Sequence, residues 1–357
     1  MKKIFRMSLP VALLALLAFG CHSIELAAPA DRAEVALLRS DWKKLVAQRG
    51  ARPRLSEDKL DRSDRFDRPE PVVFRWEKQP GETVLEIARD KHFEQLVRKL
   101  NVTGEDRAEV TNLEVGRTYF WRVRADDDSS DSEVRSFVTN GDTPRYLAVP
   151  GGVPVNLRDA GGKVTTDGKR TCQGKVFRGS EMQGLFAIRE PALRFLLDEL
   201  KIRTDLDLRY ATQTAKYGES GLGKSVNWVK VPVNAYQSFT PEQNNLFRDA
   251  IKVFANADNY PVYVHCAAGV DRTGEIIFLL DMILGVEEER AFLDYEASSL
   301  SYYPRQRSIR YFQNWLGTIR KMSPEGTPLR EQVVNYLKSI GVTDEDMDAI
   351  RANMLEQ

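Results

Sequence analysis

At 357 residues, the chain has room for two folded units of ~150 residues each. Hydrophobic residues make up 42% and charged residues 29%, which excludes wholesale disorder, a collagen-like repeat and a multi-span membrane protein. Lys+Arg and Asp+Glu number 52 each, so the net charge is zero and nucleic-acid binding has no global electrostatic basis; the 3 cysteines cannot form a disulfide framework.

The chain opens with a positive leader, Met1 to Arg6, and an apolar run from Leu9 to Phe19. That run is about half of what spans a bilayer, so it reads as the core of a secretion signal. Leu17 to Cys21 resembles a bacterial lipoprotein signal, which implies that Cys21 is lipidated and becomes the first residue of a membrane-anchored protein. Ala18 stands where such signals usually carry leucine, and an ordinary cleaved leader with an incidental cysteine is the alternative. Both readings place the mature protein outside the cytoplasm, in the cell envelope.

Residues 22–69 read as one helix followed by a charged tether. Val35, Leu38, Trp42 and Leu45 recur at helical spacing between Asp31 and Arg49, whereas residues 51–69 hold almost nothing apolar. Over 70–140 the texture becomes β-like, with runs at Val72–Trp76, Val84–Ile87, Tyr119–Val123 and Phe137–Thr139. Leu113, Gly116 and Tyr119 have the spacing of a tyrosine corner, and with Trp76 the segment resembles a fibronectin type III sandwich, to which no chemistry is assigned. The acidic run Asp126–Asp131 lacks the glycine and distal glutamate of an EF-hand calcium loop and reads as a hairpin turn.

From 145 to 357 the pattern is α/β: a central sheet flanked by helices. Leu206–Leu208, Val226–Val233 and Val262–Val264 read as strands. Thr240 caps a helix running through Ala255, with Pro241 in the first turn and Gln243 closing a capping box. Gly274–Leu284 is apolar enough for a central helix. Three helical stretches follow near 286–299, 306–321 and 328–355, the last broken at Gly341 and restarted by a Thr343/Asp346 capping box.

The chemistry is concentrated between Val262 and Gly274. A buried strand ends at His265-Cys266, five residues follow, and Arg272 opens an apolar helix. The backbone N–H groups of Ala267, Ala268, Gly269, Val270, Asp271 and Arg272 can ring one tetrahedral dianion, aided by the helix N-terminus. Gly269 permits the tight curl, and Arg272 supplies a planar fork for two phosphate oxygens. The same dipoles favour a Cys266 thiolate placed for in-line attack on phosphorus, which gives a phosphocysteine for water to hydrolyse. The alternative, a cysteine that is merely part of the core, leaves the arginine and glycine unexplained.

His265-Cys266-x5-Arg272-Thr273 resembles the signature of cysteine-dependent tyrosine and dual-specificity phosphatases. Asn156-x-Arg158-Asp159-x-Gly161-Gly162, Val176–Ser180, Asp207-Leu208-Arg209 and Asp294-Tyr295-Glu296 narrow the likeness to a bacterial branch, over about 145 to 357. The resemblance implies hydrolysis of phosphotyrosine, with phosphoserine/threonine, inositol phosphates or phosphoinositides as the alternative substrates. It implies that His265 tunes the loop rather than acting as a base, and that Thr273 helps expel the sulfur, unless Thr273 only caps the helix. Related phosphatases carry a general acid in the loop after the strand ending here at Val233, but Asn234–Thr240 contains no carboxylate. Asp271 and Asp207 remain: Asp271 reads as indispensable and Asp207 as the proton donor, while either could instead hold an arginine. The branch often has lysine where Val270 stands, which weakens the case for a phosphoinositide substrate.

No cofactor or metal is expected, because thiolate, arginine and backbone dipoles suffice. Gly218–Ser225 matches the nucleotide-binding pattern G-x4-G-K-S but lacks the required strand before it and helix after it. A non-catalytic phosphopeptide-binding module is disfavoured by the intact Cys266 and Arg272, and sulfur transfer by the C-x5-R-T spacing. Cys172 reads as an unpaired structural cysteine in preference to a protective disulfide partner of Cys266.

Overall fold

The computed structural model describes residues 23–44, 46, 67–125, 131–237, 239–301 and 310–357. The leader with Cys21, Leu45, most of the tether and Asp126–Ser130 lie outside the described residues. No helix among the described residues is long and apolar enough to cross a membrane.

The strands in chain order are β1 (Leu26–Ala28), β2 (Ala33–Val35), β3 (Val72–Trp76), β4 (Thr83–Ala88), β5 (Leu96–Asn101), β6 (Arg107–Val110), β7 (Thr118–Ala125), β8 (Arg135–Thr139) and β9 (Arg145–Tyr146). They continue with β10 (Arg158–Asp159), β11 (Val176–Gly179), β12 (Thr204–Asp207), β13 (Asn227–Lys230) and β14 (Val262–His265). The helices are α1 (Glu190–Arg194), α2 (Ala211–Thr214), α3 (Pro241–Lys252), α4 (Asp271–Leu284), α5 (Glu288–Ala297), α6 (Arg310–Arg320), α7 (Leu329–Ser339) and α8 (Asp344–Met354).

These elements form two compact units, one of residues up to Ala28, Arg75–Ala108 and Phe120–Arg135, the other of Pro29–Phe74, Glu109–Tyr119 and Ser136–Gln357. In the first, β4 lies antiparallel to both β5 and β7, with Leu85 opposite Leu100 and Val123. Strict alternation along β7 buries Tyr119, Trp121, Val123 and Ala125, as a half-buried strand requires. The β5 strand was not legible in sequence because burial along it is irregular and no residue of it is fully buried, and β6, although Arg107 and Glu109 alternate with Ala108 and Val110, is only four residues long.

In the second unit, β2 pairs in parallel with β8, Ala33 opposite Phe137. The helix expected from Asp31 therefore does not begin there. The backbone of 32–35 is taken up by that edge, with Arg32 N donating to Ser136 O at 2.7 Å and Asn140 N to Val35 O at 2.9 Å. Helical structure starts only at Trp42, yet Leu38, Trp42 and Val46 still pack together, against Tyr146 and Leu300.

The second unit also holds a sheet of order β13-β12-β14-β11-β10-β9, in which the first four strands run parallel and β10 and β9 antiparallel. Alternation divides its faces. Val262 and Val264 join a core built with α3, α4, α7 and α8, while Tyr263 joins Phe177 and the Phe195–Ile202 segment on the other side. Helix α4 is buried from Arg272 to Leu284, consistent with its apolar sequence on every side. Thr240 caps α3 by accepting from Gln243 N, but the Gln243 side chain does not close the expected box; its Oε1 accepts from Asn234 N at 2.7 Å. The Thr343/Asp346 box forms as expected, after Gly341 breaks the helix at φ +93°. Gly218–Ser225 runs from a turn directly into β13, so no helix N-terminus is available to a nucleotide phosphate.

Candidate active site

Parallel strands deliver side chains to their carboxyl ends, and here Gly179, Asp207 and His265 sit side by side in register. Cys266 follows β14 directly, 3% exposed, and α4 starts five residues later.

The loop between them is held by its carbonyls. Cys266 O meets His265 Nδ1 at 3.1 Å, Ala267 O accepts from Glu181 N at 3.0 Å, and Gly269 O accepts from Asn156 Nδ2 at 3.0 Å and Arg178 Nη2 at 2.9 Å. Ala268 O accepts from Asn156 Nδ2 at 3.4 Å and Val270 O from Gly274 N at 2.8 Å. In a trans peptide the C=O and the following N–H point in opposite directions. Fixing five successive carbonyls outward therefore turns the amides of 267–271 inward, around Cys266. Gly269 takes φ +66°, and a Cβ there would stand 2.1 Å from Gly179 O, so both backbone conformation and close approach demand glycine.

Burial alone raises the Cys266 thiol, but the Arg272 charge and the adjoining Thr273 outweigh it and bring the thiol below its ordinary value. Arg272 is anchored by Nη1 donating to Leu208 O at 3.1 Å and Gln213 Oε1 at 3.3 Å, with its guanidinium over the Tyr210 ring at 4.4 Å.

His265 is no base. Burial disfavours its charge, yet Asp207 and Asp205 raise it to about 9, with Nε2 2.9 Å from Asp205 Oδ1. Both ring nitrogens are then donors, and Nδ1–H fixes the Cys266 carbonyl. Asp205 escaped the sequence reading; its signal was the alternation Asp205-x-Asp207, which puts two carboxylates on the strand face beside His265.

Asp207, the proton donor expected from sequence, lies in a buried ion pair. Its carboxylate is fully buried, accepts from Arg209 Nη2 at 2.7 Å and Trp228 Nε1 at 3.2 Å, and is held ionised: burial raises it, but His265 and Arg209 more than compensate. Asp271, at the first position of α4, accepts from the Tyr236 hydroxyl at 2.8 Å.

A second layer was visible as motif letters without assigned roles. Asp294 accepts from Arg158 Nε at 3.0 Å and Arg178 Nη1 at 2.5 Å, both arginines being fully buried. Arg158 Nη2 also reaches Ser298 Oγ at 3.0 Å, and Asn156 sits at φ +59° to aim its amide at the loop.

Residues 151–356 match the model of the tyrosine phosphatase family. The chain belongs to that family. It is 26% identical over 214 residues to a Cupriavidus necator protein whose name provisionally assigns it to the tyrosine-protein phosphatases, covering 51% of this chain and 73% of that protein. Among solved structures, the core catalytic domain of the PP-IP phosphatase SIW14 from S. cerevisiae aligns at 20% identity over 39% of this chain and 78% of its own (TM-score 0.29). TpbA of P. aeruginosa, solved with pTyr, aligns at 13% over 47% of this chain and 89% of its own (TM-score 0.29), and likenesses this weak carry no argument.

This tyrosine phosphatase is a phosphate-monoester hydrolase. No group of three or more metal-ligating side chains occurs among the described residues. Cys172 and Cys266 are both free thiols. Val262 N, at the start of β14, bonds Lys175 O, three residues on from Cys172, whereas Cys266 follows the far end of that strand, about 13 Å along at ~3.3 Å per residue. Cys172 precedes the end of the sheet where the parallel β11 and β14 begin and Cys266 follows the end where β14 finishes, and no disulfide joins them.

Proposed function

We propose that this tyrosine phosphatase hydrolyses phosphotyrosine through a phosphocysteine intermediate, with Cys266 as nucleophile and Asp271 as proton donor. In the first step the Cys266 thiolate forms an S–P bond as the P–O(aryl) bond breaks, and Asp271 protonates the departing phenolate oxygen. In the second, water attacks phosphorus, its proton passes to the Asp271 carboxylate, and sulfur leaves as thiolate, stabilised by the Thr273 hydroxyl. The inward amides of 267–271 and Arg272 hold the equatorial oxygens throughout. The observation that carries this reading is the run of five outward-tied carbonyls around a thiol held below its ordinary value. Tyr210, 40% exposed and stacked on Arg272, supplies a flat wall suited to an aryl ester.

The test is a panel of phosphotyrosine and phosphoserine peptides, inositol phosphates and phosphoinositides, run in EDTA beside Cys266→Ser. Turnover of phosphotyrosine first among these, abolished in Cys266→Ser, is the expected result. Undiminished turnover by the serine variant overturns the mechanism, and preference for an inositol phosphate overturns the substrate.

Residues 70–140 are proposed to be a fibronectin type III-like segment that follows a lipidated Cys21 and the charged stretch 51–69 and precedes the phosphatase domain of 145–357, in the cell envelope. Two features support the β-segment: Glu114 N donates to Tyr119 Oη at 2.9 Å, the bond a tyrosine corner makes, and the Tyr119 ring stacks on Phe137 at 5.4 Å. The leader sequence supports the anchor.

A further inference from the structure

The stretch after Val233, empty of carboxylates, nonetheless sends one polar side chain to the reacting centre. The Tyr236 hydroxyl donates to Asp271 Oδ1 at 2.8 Å and lies 2.6 Å from Tyr295 Oη. A phenol has one proton; with Tyr236 giving its own to the carboxylate, the Tyr295 hydroxyl is the donor in the second bond. The chain Tyr295→Tyr236→Asp271 thus has a single direction.

A backbone conformation and two further contacts fix Tyr236. Its backbone takes φ +59°, a conformation that bulky residues rarely adopt. Its amide donates to Glu275 Oε1 at 3.0 Å, from the same helix that carries Asp271, and its ring meets Phe312 edge-on at 6.0 Å. Tyr295 is itself immobile, with its ring 4.2 Å from Phe312 and packed so closely on α4 that a Cβ at Gly274 would come within 2.6 Å of it. Strain held by this many contacts at the edge of an active centre is a positioning device.

We propose that Tyr236 is the positioning residue of the proton donor, fixing the Asp271 carboxyl plane by its hydrogen bond to Oδ1 and so directing the exchanged proton to Oδ2. Tyr236 exchanges no proton with substrate and keeps its own through both steps. The inference rests on Asp271 being the donor.

Protonation of the leaving group matters most when that group is a poor one, which separates this role from a merely structural one. The full chain, Tyr236→Phe, Asp271→Asn and the double variant are compared by kcat/KM on phenyl phosphate and on 4-nitrophenyl phosphate, whose leaving group needs little help. Asp271→Asn is expected to lose roughly 100-fold or more on phenyl phosphate and far less on the nitrophenyl ester. Tyr236→Phe is expected to lose about tenfold on phenyl phosphate, with little change on the nitrophenyl ester, and nothing further in the Asp271→Asn background. Equal losses on both esters, or losses that multiply in the double variant, overturn the inference. An Asp271→Asn enzyme without leaving-group dependence overturns the donor assignment instead. Should Tyr236→Phe fail to fold, Tyr295→Phe decides: a smaller loss confined to phenyl phosphate supports the chain, and its absence refutes it.

Discussion

Asp294→Asn tests whether the loop is held by charge as well as by shape. The Asp294 carboxylate, 5% exposed, is the shared partner of Arg158 and Arg178, whose side chains are fully buried, and Lys163 Nζ stands 3.9 Å away. Burial pushes this carboxylate up, but Arg158, Lys163 and Arg178 overwhelm that and hold it well below the usual carboxylate range. An amide of the same shape leaves two buried guanidinium groups without a counter-charge, which costs about 3–5 kcal/mol. For a folded part of roughly 200 residues that is a fall of about 6–20 °C in Tm. Thermal and urea unfolding of the two proteins measure it directly. Because the native pKa is depressed, the contribution is fully present above the unfolded-state value of ~3.9 and fades as pH falls below it, so the gap between the proteins closes only in acid. Activity falls as well, since Arg178 Nη2 holds the Gly269 carbonyl outward at 2.9 Å. A variant within about 1 kcal/mol of wild type and equally active would refute the reasoning, because an uncompensated buried pair cannot be that cheap.

His265, raised to about 9 by Asp207 and Asp205 against its burial, stabilises the fold while it is protonated. That contribution is complete below the unfolded-state value of ~6.5 and is lost as pH rises through about 9, so Tm should decline across this interval in wild type and stay level in His265→Gln; parallel curves contradict it. For the N-terminal anchor, radiolabelled palmitate should enter the protein in bacteria and fail to enter Cys21→Ser. Labelling that survives Cys21→Ser counts against the proposed anchor.

Local spacing made much of the phosphatase part readable before any coordinates. Apolar strand, Cys266, five residues, Arg272 and apolar helix are contiguous, so the order of residue types alone implies a loop that rings an anion. The capped restart at Thr343 and the apolar α4 were legible for the same reason: each depends on residues within one or two turns. What failed was whatever depends on distant partners. Ala33–Val35 suits a helical stripe as well as a strand, and only β8, some hundred residues later, decides between them. Gln243 fits a capping box, yet a backbone amide from another segment claims it.

The active centre divides in the same way. The proposed nucleophile and phosphate ring were legible in sequence, because their chemistry is set by neighbours along the chain. The choice of Asp207 over Asp271 as proton donor had little to rest on, since a carboxylate's role follows from what surrounds it in space. Folding places Asp207 among Arg209, Trp228 and His265 as a buried ion, and leaves Asp271 at the head of α4 under the hydroxyl of Tyr236. Tyr236 lies 35 positions from Asp271, and Asp294 lies 116 from Arg178; no spacing rule reaches that far. Hydrogen bonds and desolvation act over a few ångströms, and only tertiary structure decides which residues come that close.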